Sequence, residues 1–329
     1  MKNVLLTTTA LVAFAGAAAA EAHLGVSFGG SAEIKYNDIT EFSYSADLTV
    51  TGTAELNNGI TATLSYGIEL DNHGSIYGDH FPVLTLESAY GKLSAGDADA
   101  IGPASDHFSE TDGVSGFSDG LYTDDDFTVR LDMTLGGFDT SISESDFGHN
   151  FLNDLRVGAS GSFGNFDFGL GYADDLDEVG VNVGTSFGAF MVDFSVFDSA
   201  ATGTDYGIQV AYEINPSITV GAYFASVDDA AAQNFGVSLD YVSGPLTVGV
   251  GYDDEAGTGN AFIDVEYALS GSSAGVTAYA GYDQAGGAYV GVEYDLGSGA
   301  TAWISYSEFD ESGDPEFDEG ITVGLSVEF

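Results

Sequence analysis

The sequence predicts an all-β fold, a closed antiparallel transmembrane β-barrel. Three observations predict it: strict period-two alternation, evenly spaced tight turns, and aromatic residues gathered at strand ends. In the last ten residues Ile321, Val323, Leu325, Val327 and Phe329 share one face, with Thr322, Gly324, Ser326 and Glu328 on the other. Ile60, Ala62, Leu64, Tyr66, Ile68 and Leu70 alternate in the same way with Thr61, Thr63, Ser65, Gly67 and Glu69. Phe42, Tyr44, Ala46, Leu48 and Val50 alternate with Ser43, Ser45, Asp47 and Thr49. Such alternation marks strands with one apolar and one polar face.

Tight-turn signals separate the strands. They fall at Asn57-Asn58-Gly59, Gly91-Lys92, Gly136-Gly137, Gly164-Asn165, Gly188-Ala189, Asn215-Pro216, Gly244-Pro245, Gly271 to Gly275 and Gly297-Ser298-Gly299. From Gly136 onward they recur at roughly 24–28 residues, room for two strands of about ten residues and a loop. The connections at the opposite ends are acidic and of varied length, as at Asp174 to Glu178 and Glu308 to Glu319. Nine such hairpins and two terminal strands make 20 strands in one domain, with no linker. A soluble sandwich would alternate too. Against it, the polar faces are mostly Gly, Ser and Thr rather than Lys and Glu. Tyr36, Phe42, Tyr90, Phe163, Phe166, Tyr172, Phe187, Phe190 and Phe329 also sit near strand ends, where aromatic girdles meet lipid headgroups.

Residues 1–20 stand apart: Lys2 precedes an uncharged apolar run, Val4 to Ala20, that ends in four alanines. That pattern predicts a secretory signal peptide cut before Glu21, with the barrel over 21–329; a short anchor helix is the alternative. Past the cut, Lys35, Lys92, Arg130 and Arg156 are the only Lys and Arg left against 52 Asp and Glu. So acidic a chain repels nucleic acid, and nucleic acid is excluded as a partner. Charge of this size would suggest disorder, but a 44% hydrophobic content with 18 Tyr and 23 Phe opposes that. There is no cysteine, hence no disulfide or thiolate site, and no later run of about 18 apolar residues that would make a membrane helix.

The stretch Ser88-Ala89-Tyr90-Gly91-Lys92-Leu93-Ser94-Ala95-Gly96-Asp97 resembles the signature of general porins of alphaproteobacteria, where a hairpin ending in Gly-Lys leads through Gly-Asp into a long third loop. Phe329, ending an alternating strand, resembles the barrel-assembly signal of outer-membrane proteins. The resemblance spans the mature chain in pattern but only these two places in residues. It implies 16 strands where the hairpin signals give 20, so the expectation is 16–20. It also implies a homotrimer in outer-membrane lipid and a third loop folded into the lumen.

Residues 98–125 form the longest stretch without alternation and are rich in acids, which marks either a functional insertion or a solvated external loop. Strand parity places the bases on polar faces: Lys35 beside Glu33, Arg130 beside Asp132, Arg156 between Leu155 and Val157, and Lys92 opposite Leu93. Avoidance of lipid alone would do this, since a charge at mid-bilayer costs about 2–4 kcal/mol. Acids on an inward loop facing wall bases would also set a transverse field across a water-filled gap. The expected constriction has Lys35, Lys92, Arg130 and Arg156 on the wall and Asp97, Asp99, Asp106, Glu110 and Asp112 on the loop. The expected activity is passive, cation-selective diffusion of small hydrophilic solutes and ions, with no cofactor required.

Two rival functions use the same pattern. One is a substrate-specific outer-membrane channel, which aromatics along the lumen would favour. The other is a secreted acidic calcium-binding β-protein, for which Asp124-Asp125-Asp126 is the leading candidate cluster, although no calcium-loop motif is present. An enzyme is the weakest alternative: His23, His73, His80, His107 and His149 are scattered, and there is no nucleophile elbow or phosphate loop.

Overall fold

The computed structural model describes residues 24–56, 59–70, 76–78, 81–117, 127–145, 154–174, 177–228, 233–269, 275–310 and 317–329. The expected signal peptide and the Asp124–Asp126 cluster lie outside the described residues.

The chain is a closed antiparallel barrel. Its strands are β1 (Leu24–Asn37), β2 (Glu41–Glu55), β3 (Thr61–Leu70), β4 (Ile76–Gly78), β5 (Val83–Ser88), β6 (Gly91–Asp97) and β7 (Phe127–Leu135). There follow β8 (Phe138–Glu144), β9 (Leu155–Phe163), β10 (Phe166–Ala173), β11 (Glu178–Phe187), β12 (Phe190–Ser199), β13 (Gly203–Asn215) and β14 (Ile218–Ser226). The circuit ends with β15 (Asn234–Ser243), β16 (Leu246–Glu255), β17 (Thr258–Leu269), β18 (Val276–Asp283), β19 (Gly287–Gly297), β20 (Ala300–Ser307) and β21 (Gly320–Glu328). β4 and β5 pair with successive parts of β3 and make one interrupted stave, so these 21 strands form 20 staves. That is the number the hairpin signals predict and four more than the family resemblance implies.

Asn57-Asn58 and Gly271 to Ala274 lie outside the described residues; of the other seven predicted turns, six fall where two paired strands meet. Gly136 and Gly137, with φ of 65° and 93°, supply the left-handed pair that a two-residue hairpin matching the sheet twist requires. The turn predicted at Gly91-Lys92 lies two residues earlier, at Ala89-Tyr90, because Gly91 already pairs with Ser88.

The burial pattern is the reverse of a soluble protein's. Along β21, Ile321, Val323 and Leu325 are exposed while Gly320, Thr322 and Gly324 are buried. In β11 Val179 and Val181 are exposed between the buried Glu178, Gly180 and Gly184. Apolar side chains point outward toward lipid and polar ones into the lumen, which excludes the sandwich. Tyr90, 90% exposed, sits at the short-turn end with Phe163, Phe166 and the stacked pair Phe187–Phe190, while Tyr36 packs on Phe42 at the other rim.

Closure joins β1 to β21, from Ser31 opposite Glu328 to Asn37 opposite Thr322. Gly30 and Phe329 exchange both backbone hydrogen bonds at 3.0 Å, so the terminal residue completes the ladder. At the other end of this seam Asn37 is fully buried. Its amide donates to the Glu319 carbonyl (2.8 Å) and Thr322 Oγ1 (2.9 Å), and its oxygen accepts from the backbone of Ile39 and Thr40. Truncating it strands these buried groups. Asn37→Ala is therefore expected to lower stability by about 1–3 kcal/mol, read as an earlier midpoint in urea unfolding of the lipid-reconstituted barrel; an unchanged midpoint would show that the seam holds without it.

Candidate functional site: a loop seated on the inner wall

The third loop leaves β6 and turns into the barrel. Asp97 caps a single helical turn, α1 (Ala98–Ile101), its carboxylate accepting from Ala100 N at 3.3 Å, and a 3-10 turn follows at Ala104–His107. From there the chain runs along the inner wall past eight strands. Ala104 N donates to Ser143 Oγ on β8 (2.9 Å), Ser109 N to Asn182 on β11 (3.0 Å) and Thr111 N to Ser195 on β12 (3.0 Å). Asp112 N donates to Gln209 on β13 (3.4 Å), and Asn234 on β15 donates to the Gly113 carbonyl (3.1 Å). His107 bridges Ser141 and Ser160, each at 2.7 Å, one ring nitrogen donating and the other accepting.

Two features let a loop lie flat on a strand wall. The first is a glycine trough. β-Carbons at Gly158, Gly169, Gly171, Gly180 and Gly207 would collide with Ala104, His107, Ser105 and Phe117, Phe108, and Thr111 with Val114, respectively. The second is a small apolar core, Phe108, Val114, Phe197 and Ala225 with Phe117 against it, the three rings 5.2–6.0 Å apart. Burial of each ring contributes about 1.5–3 kcal/mol, and on the wall this core lies inside the barrel.

One face of the loop is thus buried, and Asp99, Asp106, Glu110 and Asp112 occupy the exposed face. Asp97 is buried as the helix cap. The wall bases separate. Arg130 clamps the loop: it donates to Asp106 (2.8 Å) and the Pro103 carbonyl (2.8 Å), and its Nε donates to Asp132 (2.7 Å). Lys92, half-exposed, lies 3.5 Å from the other oxygen of Asp132. Lys35 instead pairs with Asp318 in the last loop (2.8 Å), with Glu33 at 3.9 Å. Arg156 is 0% exposed, 3.6 Å from Asp154. Arg130, Lys92 and Asp106 therefore converge; Arg156 lies level with Arg130 two strands along, across Ser143, and Lys35 pairs away from them in the last loop.

Sequence parity missed inward aromatics. Tyr223, Phe262, Tyr289 and Trp303 point into the lumen, each directly opposite a glycine of an adjacent strand: Gly236, Gly251, Gly281 and Gly324. Each ring lies across its glycine, where a β-carbon would collide with it. Among the described residues no group of three or more His, Asp or Glu is placed to hold a metal ion.

Fold and loop together define a transmembrane β-barrel whose lumen is narrowed by an inward-folded segment. The family described as Gram-negative porin matches residues 7–314, and the chain belongs to that family; it is an outer-membrane porin. No curated protein matches it. Among solved structures it is similar to a triple mutant of the Rhodopseudomonas blastica porin (14% identity, TM-score 0.47) and to a second substituted form of that porin (15%, 0.47). Each comparison covers 92% of this chain and 100% of the other.

Among the trough glycines, a β-carbon added at Gly158 would collide most severely with the loop backbone, at the Ala104 carbonyl. Gly158→Val is expected to push residues 104–107 toward the lumen and reduce single-channel conductance in planar bilayers without loss of strand content by circular dichroism. Wild-type conductance in that variant would mean the loop does not rest there.

Proposed function

We propose that the barrel is a general, water-filled porin for passive diffusion of small hydrophilic solutes and ions, and that it prefers cations. The observation that carries the preference is charge placement. The loop turns Asp99, Asp106, Glu110 and Asp112 to its exposed side, while Lys35, Lys92, Arg130 and Arg156 each lie within ion-pair distance of a carboxylate. The surplus field in the narrowed lumen is negative and attracts counter-ions. Arg130 and Lys92 on the wall and the loop acids beside them make up the proposed constriction. Diffusion down a gradient requires no cofactor and no catalytic group.

An exported precursor with residues 1–20 as its signal peptide, and a homotrimer in outer-membrane lipid, complete the proposal. The apolar run Val4 to Ala20 and the resemblance at Ser88 to Asp97 support these two parts in turn. The inward aromatics favour a second reading, a channel with a preferred class of solute.

In a bilayer under a KCl gradient the zero-current potential is expected to favour K⁺. Neutralising Asp106, Glu110 and Asp112 together (Asp→Asn, Glu→Gln) should reduce that potential. Raising salt should reduce it as well, because the screening length falls from about 10 Å at 0.1 M to about 3 Å at 1 M. An anion-favouring or zero potential in the wild type at low salt would refute cation preference.

A further inference from the structure

Beyond the loop tip the inner wall opens into a recess of about 320 Å³ between β13 and β17. That size falls within the usual range for small-molecule sites, about 300–1,000 Å³. Its floor is glycine and serine backbone at Gly221, Gly236 and Ser238, and Gly251 lies beside Ser238 under the Phe262 ring. The rings of Tyr223 and Phe262 lie on this floor across Gly236 and Gly251, both half-buried. Around them stand three carboxylates from two separate parts of the chain: Asp112 on the loop, Asp253 and Glu255 on β16. Gln209 completes the lining while accepting from Asp112 N.

Four properties together select a ligand class. The lining carries no base, and every described Lys and Arg is engaged elsewhere, on β1, β6, β7 and β9. One oxygen of Asp253 is shut off from solvent with no hydrogen-bond partner. The carboxylates stand apart and form no metal-type cluster, so the site does not suit a chelated cation. Two aromatic rings offer what an inorganic ion gains little from and an alkylammonium gains most from, a polarisable face beside negative charge. A neutral sugar could stack on the rings and donate its hydroxyls to the acids, but it would leave the negative charge of the recess unbalanced, which a cation does not.

We infer that this recess is a binding station for small organic ammonium cations, a role that rests on the channel reading and gives it a preferred solute class. Tyr223 and Phe262 hold the alkylated nitrogen by their faces, and Asp112, Asp253 and Glu255 supply the counter-charge. Because Asp112 belongs to the narrowing loop, the station lies beside the constriction, where an occupied site impedes K⁺.

Choline chloride added to one side of a bilayer holding the refolded barrel is expected to reduce the K⁺ current saturably, whereas neohexanol, its uncharged isostere, does not. Tyr223→Leu combined with Phe262→Leu should raise the half-blocking concentration about tenfold, for the loss of two cation–π faces. Asp253→Asn should raise it also, and serves alone if the double variant does not fold. A current that falls linearly with choline, or variants that match the wild type, would overturn the station while leaving a cation-selective channel intact. A bilayer that stays silent would overturn the channel instead. Calorimetric titration of choline chloride into the detergent-solubilised barrel then decides the station by itself: saturable heat retains it and its absence removes it.

Discussion

Every feature of this molecule depends on closure of the hydrogen-bond ladder. Backbone N–H and C=O groups in the hydrocarbon layer have no water to turn to, and an open sheet edge would leave a row of them unpaired. Pairing of β1 with β21 removes the edge, and Phe329 takes part through its own main chain at Gly30. Once the wall is closed, lipid outside and water inside determine which phase of each strand is apolar. The alternation read in the sequence and the inverted burial found in the structure are therefore one fact seen twice.

Inside that wall the polar phase performs several tasks. On β8 to β13 it offers a trough of glycines with Ser143, Asn182 and Ser195 as hydrogen-bond stations, and the loop seats there. On β14 to β20 it carries aromatics, each laid across the glycine opposite. Lys35, Lys92 and Arg130 sit in the remaining sector and Arg156 at the edge of the trough on β9, and Arg130 binds the loop where it enters. Loop and bases occupy one side of the lumen and rings the other, so the interior is chemically lopsided.

The sequence made the strands legible because their signals are local. Parity assigned Arg130, Asp132 and Arg156 to the polar phase, and each glycine- or proline-containing turn marked a hairpin. Hairpin counting gave the right number of staves where resemblance to a 16-stranded family did not, since extra hairpins leave every local signal intact. The loop's seat was less legible. Glycines at 158, 171 and 180 could be read only as small wall residues, because their partners, Ala104, Phe117 and Phe108, are tens of residues away and outside any period. The inward Tyr223 and Phe262 escaped notice for a related reason: a single ring in a polar phase looks like noise until registration places a glycine beside it. The grouping of the bases depended on three-dimensional height along the barrel. Parity does not encode height, so Lys35 at the last loop and Lys92 near the short turns looked equivalent.

The glycine trough separates two properties that most constrictions mix. Where the loop lies is determined by what the wall lacks, side chains at Gly158, Gly169, Gly171, Gly180 and Gly207. What charge it presents is determined by Asp99, Asp106, Glu110 and Asp112, on the opposite face of the same segment. Asp106 bears on both, since Arg130 holds the loop through it, whereas Glu110 and Asp112 can change without touching that clamp. Aperture and ionic preference can therefore drift independently in descendants of this chain, and a lineage could reverse its ion selectivity without rebuilding its pore.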